Sequence, residues 1–243
     1  MSSEDREIWG VLGGMGPLAS AEFVRTVYEE TVNGPEQNCP IVVSISDPTI
    51  PDRTEYLLSG REDILLEIFS KNIGQLISMG ATKIVVACFT IHPLISRLPE
   101  AMRRPIVSLV ELALEAAAES KRKHLLICSN GSRKVRLFER HPLWEKAKNA
   151  IILPDADDQV LLHDMIYEIK TNVRSIRHVN FVDNLLAKYG VNSYIAGCSE
   201  IHIFAKYHES ALGRDRRDFC IDPLTLVLSL MSPEPQSQPA RAI

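Results

Sequence analysis

The sequence has no CxxC pair and no clustered Cys/His spacing of the kind that holds zinc. Its five cysteines, Cys39, Cys88, Cys128, Cys198 and Cys220, are odd in number and lie far apart. A disulfide framework is therefore not expected; reduced thiols in a cytoplasmic protein are. No apolar run approaches the roughly 18 residues that a membrane span requires, so no membrane partner is expected. The polar, acidic start, Met1 to Glu7, does not read as a secretory leader. Excess basic charge is also missing: 27 Lys and Arg stand against 31 Asp and Glu, a net charge of −4. Such a chain is a poor partner for a nucleic-acid backbone. The clusters Lys121–Lys123 and Arg214–Arg217 are short and read as solvated faces. The stretch Gly13-Gly14-Met15-Gly16-Pro17 is neither GxGxxG nor a P-loop, since no Lys-Ser/Thr follows. Neither a nucleotide nor a metal ion is expected.

What is present is an ordinary globular composition, 45% apolar and 24% charged over 243 residues. That length suffices for one or two domains with a sizeable core. Short apolar runs alternate with longer amphipathic stretches. Strands are predicted at Ile8–Leu12, Ile41–Ser46, Lys83–Ala87, Ile106–Val107, His124–Ile127, Ile151–Leu153, Ser193–Ala196 and Phe219–Ile221. Helices are predicted at Pro17–Val32, Arg61–Met79, Leu109–Ser120, Asp158–Lys170 and Ile176–Lys188, with another ending near Met231. Asp47–Thr54 reads as a polar loop, and the tail Ser232–Ile243 as frayed. This alternation predicts an α/β fold with mainly parallel sheets flanked by helices. In such folds ligands sit beyond the C-terminal ends of the strands.

Two of those strand ends match. Ile84-Val85-Val86-Ala87-Cys88-Phe89-Thr90-Ile91-His92 aligns without a gap on Tyr194-Ile195-Ala196-Gly197-Cys198-Ser199-Glu200-Ile201-His202. Each is an apolar strand, a small residue, a cysteine, two residues, then Ile and His. A loop bearing glycine also follows the first strand of each half, at Gly13–Gly16 and at Asn130–Ser132. Two similar lobes are predicted, with a cleft between them: residues 1–108 plus 209–243 carrying Cys88, and residues 109–208 carrying Cys198. A cysteine between a strand end and a helix start meets unpaired N–H groups, so both thiol pKa values are expected below about 8.5. Sulfurs facing each other across a cleft can take a proton from one face of a carbon and return one to the other. Cys39, Cys128 and Cys220 have no matched surroundings and read as buried structural thiols. His92 and His202 read as residues behind the cysteines or as packing, and Glu200 as a group that orients Cys198 or caps the helix after it.

The sequence resembles the aspartate/glutamate racemase superfamily, most closely its aspartate racemases. Four motifs carry the resemblance in the family's order: Gly13-Gly14-Met15-Gly16-Pro17, Pro51-Asp52-Arg53-Thr54, Ala87-Cys88-Phe89-Thr90-Ile91-His92 and Gly197-Cys198-Ser199-Glu200-Ile201. Ile166-Tyr167-Glu168-Ile169-Lys170 is similar to the family segment bearing a substrate-binding lysine. The resemblance implies cofactor-independent racemisation of aspartate, with Cys88 and Cys198 exchanging the roles of proton acceptor and donor. It implies substrate contacts at Met15, Asp52, Arg53, Thr54, Phe89, Thr90, Ile91, Ser132, Lys170 and Ser199. Arg53 and Lys170 match positions that hold carboxylates. It also implies a homodimer. Phe89 stands where the family usually has Asn, so a side-chain amide contact is lost or moved. Glutamate racemisation, another isomerase or decarboxylase activity, and idle binding of an acidic metabolite are the alternatives.

Overall fold

The computed structural model describes residues 6–32 and 34–231. The expectation for the tail at 232–243 lies outside them. The elements, in chain order, are β1 (Ile8–Gly13), α1 (Pro17–Thr31), β2 (Ile41–Ser46), α2 (Arg53–Leu58), α3 (Glu62–Ser78), β3 (Lys83–Val86), α4 (Glu100–Arg103) and β4 (Ile106–Val107). There follow α5 (Leu109–Glu119), β5 (His124–Ile127), α6 (Asn130–Lys134), α7 (Trp144–Ala147), β6 (Ile151–Ile152) and α8 (Ala156–Lys170). Last come α9 (Ile176–Lys188), β7 (Tyr194–Ala196), α10 (Ser199–Leu212), β8 (Cys220–Ile221), α11 (Pro223–Leu226) and α12 (Leu228–Met231). A 3₁₀ segment, Phe89–Arg97, follows β3. None of the described helices is long and apolar enough to cross a membrane.

The strands form two four-stranded parallel sheets, β2-β1-β3-β4 and β6-β5-β7-β8. The two orders are the same, so β5 to β8 repeat the places of β1 to β4. Their central strands are Val/Ile/Leu-rich and buried, as strands covered on both faces must be. Helix starts follow local chemistry. Pro17 opens α1, while the side chains of Ser108 and Asp155 accept from the N–H groups of Glu111 and Asp158 to start α5 and α8.

The predicted return of 209–243 to the first lobe needs correction for its strand. β8 pairs with β7, Tyr194 against Cys220 and Ile195 against Ile221. It fills in the second sheet the place that β4 fills in the first. The helices beyond it do return: α11 packs on α5, and both α11 and α12 pack on α1. They complete a core shared by the two halves. Val11 and Val85 of the first sheet, Leu126 and Ile195 of the second, Ala113 of α5 and Leu228 of α12 belong to one apolar cluster. Each half also has an outer cluster of its own.

In each sheet the chain leaves the first-formed strand toward opposite neighbours. The loops after β1 and β3 therefore diverge, as do those after β5 and β7. A crevice opens at such a switch point. Gly13–Gly16 and Cys88 border it in one half, and Cys128–Ser132 and Cys198 in the other.

Candidate active site

Cys88 and Cys198 occupy equivalent places. Each immediately precedes a helical segment in extended backbone, with φ of −160° at Cys88 and −146° at Cys198. Both are only 6% exposed, so the cleft is closed over them. Their surroundings differ. The Cys198 thiol donates to Glu200 Oε2 at 2.8 Å, and the Ser199 hydroxyl donates to the same oxygen at 3.3 Å. Burial pushes the Cys198 pKa well above that of a free thiol, and the Glu200 carboxylate and the Cys88 sulfur add to the shift. Lys170 opposes it without reversing it. The expectation of a lowered pKa at this cysteine is thus overturned, because burial first, and the Glu200 carboxylate after it, outweigh the helix start.

Cys88 lies beside Arg53. The expected loop at 47–54 is correct only as far as Asp52, whose side chain accepts from Glu55 N–H and caps α2. Arg53 is therefore the first residue of that helix, and it is buried. Burial by itself would lower the Arg53 pKa, but Cys88, Asp52 and Glu200 together raise it. Its Nη1 donates to the carbonyls of Ile50 and Pro51 at 3.2 and 3.0 Å, and its Nη2 to the carbonyl of Met15. Both Nη atoms thus hold backbone, while Nε is buried without a partner.

Lys170, at the end of α8, is the other cation. Burial would lower its pKa, but Glu200, Cys198, Tyr167 and Cys88 raise it. Its ammonium lies 4.3 Å from the centre of the Tyr167 ring and makes no hydrogen bond or ion pair among the described residues. Glu200 carries the matching feature of opposite sign, since its Oε1 is buried and unpartnered. That oxygen crosses to the other half: a Cβ at Gly16 would lie 2.1 Å from it. Gly16 is required there by close approach rather than by backbone twist.

Further buried contacts join the halves. Thr90 and Ser129 share a hydrogen bond of 2.9 Å, and Ser132 lies 3.3 Å from Thr90 and 3.2 Å from Ser129. A Cβ at Gly131 would lie 2.5 Å from Thr54 Oγ1, so this loop sits directly on α2. Tyr167 donates its hydroxyl to Asp52 Oδ2 at 2.7 Å. Burial raises the Asp52 pKa, but the Glu55 N–H, Tyr167, Arg53 and Lys170 bring it below the usual value.

The structure thus brings together Cys88, Cys198, Asp52, Arg53, Thr54, Thr90, Ser132, Lys170, Ser199 and Glu200. Met15, Phe89 and Ile91 are also buried, and like the two cysteines they belong to the apolar clusters. Phe89 stacks on His92 and Phe138, with ring centres 5.7 and 6.1 Å apart. Met15 serves through its carbonyl. His202 is fully buried and bridges two elements: Nδ1 meets Asp222 at 2.6 Å and Nε2 meets Thr26 at 3.0 Å. Tyr167 and Ser129 had no assigned role. The signal for Tyr167 was its spacing three residues before Lys170, on one face of α8. Ser129 was readable as the cap of the turn containing Ser132. Among the remaining thiols, Cys128 and Cys220 are buried as expected, and burial pushes Cys128 up to about 12. Cys39 is not buried but half-exposed, because it follows a short turn at the surface.

His92 is buried, its Nε2 at 3.3 Å from the Val86 carbonyl. Burial lowers its pKa from 6.5 to about 4. Between those values the unfolded chain binds a proton that the folded chain refuses. Stability should therefore fall as the pH drops from 6.5 toward 4, and this contribution should level off below. At about 1.4 kcal/mol per unit, the loss is roughly 3 kcal/mol. Urea unfolding at pH 7 and at pH 4.5 should show a smaller difference for His92→Gln than for the parent. Equal differences would mean that His92 is protonated in the fold.

The family model for Asp/Glu/Hydantoin racemase matches residues 12–230. The chain belongs to this family. Solved structures share its fold at low identity. The Picrophilus torridus aspartate racemase superposes with a TM-score of 0.75 at 21% identity, over 91% of this chain and 92% of that one. The Francisella tularensis glutamate racemase, solved with D-glutamate, gives 0.61 at 13% identity over 97% and 86%. The allantoin racemase from Klebsiella pneumoniae gives 0.56 at 14% over 93% and 86%. This family member thus has neighbours acting on different substrates, and its own cleft must supply the argument for one.

Proposed function

We propose that the chain interconverts L- and D-aspartate by two-base proton transfer. The observation that carries this reading is the pair of thiols at equivalent strand ends, buried in one cleft with two cations. Lys170 offers an uncommitted ammonium and Arg53 an uncommitted Nε–H, which together suit the two carboxylates of a small acidic amino acid. Glu200 Oε1 is the acceptor left for its ammonium. One sulfur takes the α-hydrogen as a proton, so the C–H bond breaks and an S–H bond forms. The electron pair spreads into the α-carboxylate, which the cations stabilise. The other thiol gives its proton to the opposite face of Cα. Because Cys198 is held as a thiol on Glu200, the base in the resting cleft is Cys88. Turnover in the reverse direction exchanges the roles.

The test is deuterium uptake at Cα of L- and D-aspartate in D₂O without added cofactor, with glutamate alongside. Uptake with inversion from both aspartate enantiomers supports the reading. Faster uptake into glutamate would move the substrate by one methylene. No uptake into either amino acid would leave a binder of acidic metabolites.

A further inference from the structure

A groove of about 500 Å³ runs between the 3₁₀ segment after Cys88 and the stretch 135–142. Neither thiol lines it, and neither do Arg53, Lys170 or Glu200. Its size is within the range of about 300–1,000 Å³ usual for small-molecule sites. Leu57, Leu94 and Leu137 give it an apolar lining.

The polar groups there are unevenly committed. Arg97 holds Asp63 at 2.5 Å. The side chains of Arg140 and Glu62, by contrast, make no hydrogen bond or ion pair among the described residues. His92 adds a buried acceptor. A carbonyl can only accept, so the His92 Nε2 facing Val86 carries the hydrogen and Nδ1 carries the lone pair. That Nδ1 has no partner. One groove thus presents a free guanidinium, a free carboxylate and a leucine lining, with the His92 imidazole in its wall. These are the complements of a carboxylate, an ammonium and an apolar side chain.

We infer that this groove binds an apolar α-amino acid as its zwitterion, apart from the thiols. Arg140 takes the carboxylate, Glu62 takes the ammonium, and the leucines cover the side chain. The inference does not depend on racemisation, because its readout is binding to the intact chain.

Calorimetric titration with L-phenylalanine and with L-leucine tests it. One saturable event per chain is expected. Phenylalaninamide, which lacks the carboxylate, and N-acetylphenylalanine, which lacks the ammonium, should each bind about tenfold more weakly or worse. Arg140→Ala and Glu62→Gln should each cost a similar factor, with the unfolding midpoint unchanged. Absence of a saturable event with both amino acids would overturn the proposal. So would equal binding of the blocked derivatives, indifference to both substitutions, or displacement by aspartate, which would put the ligand among the thiols.

Discussion

Replacing Cys88 or Cys198 by alanine should lower aspartate racemisation by roughly 10²–10⁴-fold, the usual worth of a positioned acid or base. The two variants should also differ in a way that simple damage would not produce. With one sulfur gone, the other still faces one side of Cα. Each variant should therefore exchange the α-hydrogen of a single enantiomer with solvent, with retention, and the two variants should favour opposite enantiomers. Deuterium uptake read by mass spectrometry, with chiral separation, reports both quantities. Iodoacetamide should label Cys88 before Cys198 in the parent, because the Cys198 proton is held on Glu200. Parental racemisation rates in both variants would remove the cysteines from the mechanism.

Arg53→Ala should be costly twice. The guanidinium donates to three carbonyls, those of Ile50, Pro51 and Met15, which tie the first glycine loop to α2. Leaving those groups unpaired costs about 1–3 kcal/mol for each one that water cannot reach. A fall of roughly 10 °C in Tm follows, at about 2–4 °C per kcal/mol for a chain of this size. Activity should drop at least ~100-fold, since Nε and the charge beside Cys88 go as well. Arg53→Lys should rescue little, because one ammonium cannot serve three carbonyls and a substrate. A scanning-calorimetry midpoint and a rate both near parental would place Arg53 outside the site.

The parts legible in the sequence are those that repeat or that local chemistry dictates. The strand runs were readable from their β-branched content, and the two cysteines from their matched contexts. What the sequence hid was direction and partnership across the halves. Phe89 follows the first cysteine, and nothing local reveals that its ring stacks on His92 and on Phe138, 49 positions away in the chain. Glu200 was readable as a neighbour of Cys198. Nothing local, however, reveals that its carboxylate raises the thiol pKa or reaches Gly16, residues away in the other half. The last strand, expected in the first lobe, pairs with β7 in the second sheet, because chain order says nothing about which edge is open.

The two halves meet through contacts of two kinds. One is a packed apolar seam, with α5, α11 and α12 wedged between the sheets. The other is a set of polar contacts: Tyr167 to Asp52 and Thr90 to Ser129 at the cleft, and His202 to Thr26, Lys206 to Glu22 and Glu29, and Arg216 to Glu30 along α1. Parting the seam exposes hydrocarbon at about 25 cal/mol per Å². Parting the polar contacts trades hydrogen bonds for water at a net loss of about 1 kcal/mol each. Of the two, the apolar seam is the costlier to part. Residues of the seam, such as Ala113 and Leu228, lie among neither the thiols nor the cations of the cleft, yet they hold together the two halves that carry them.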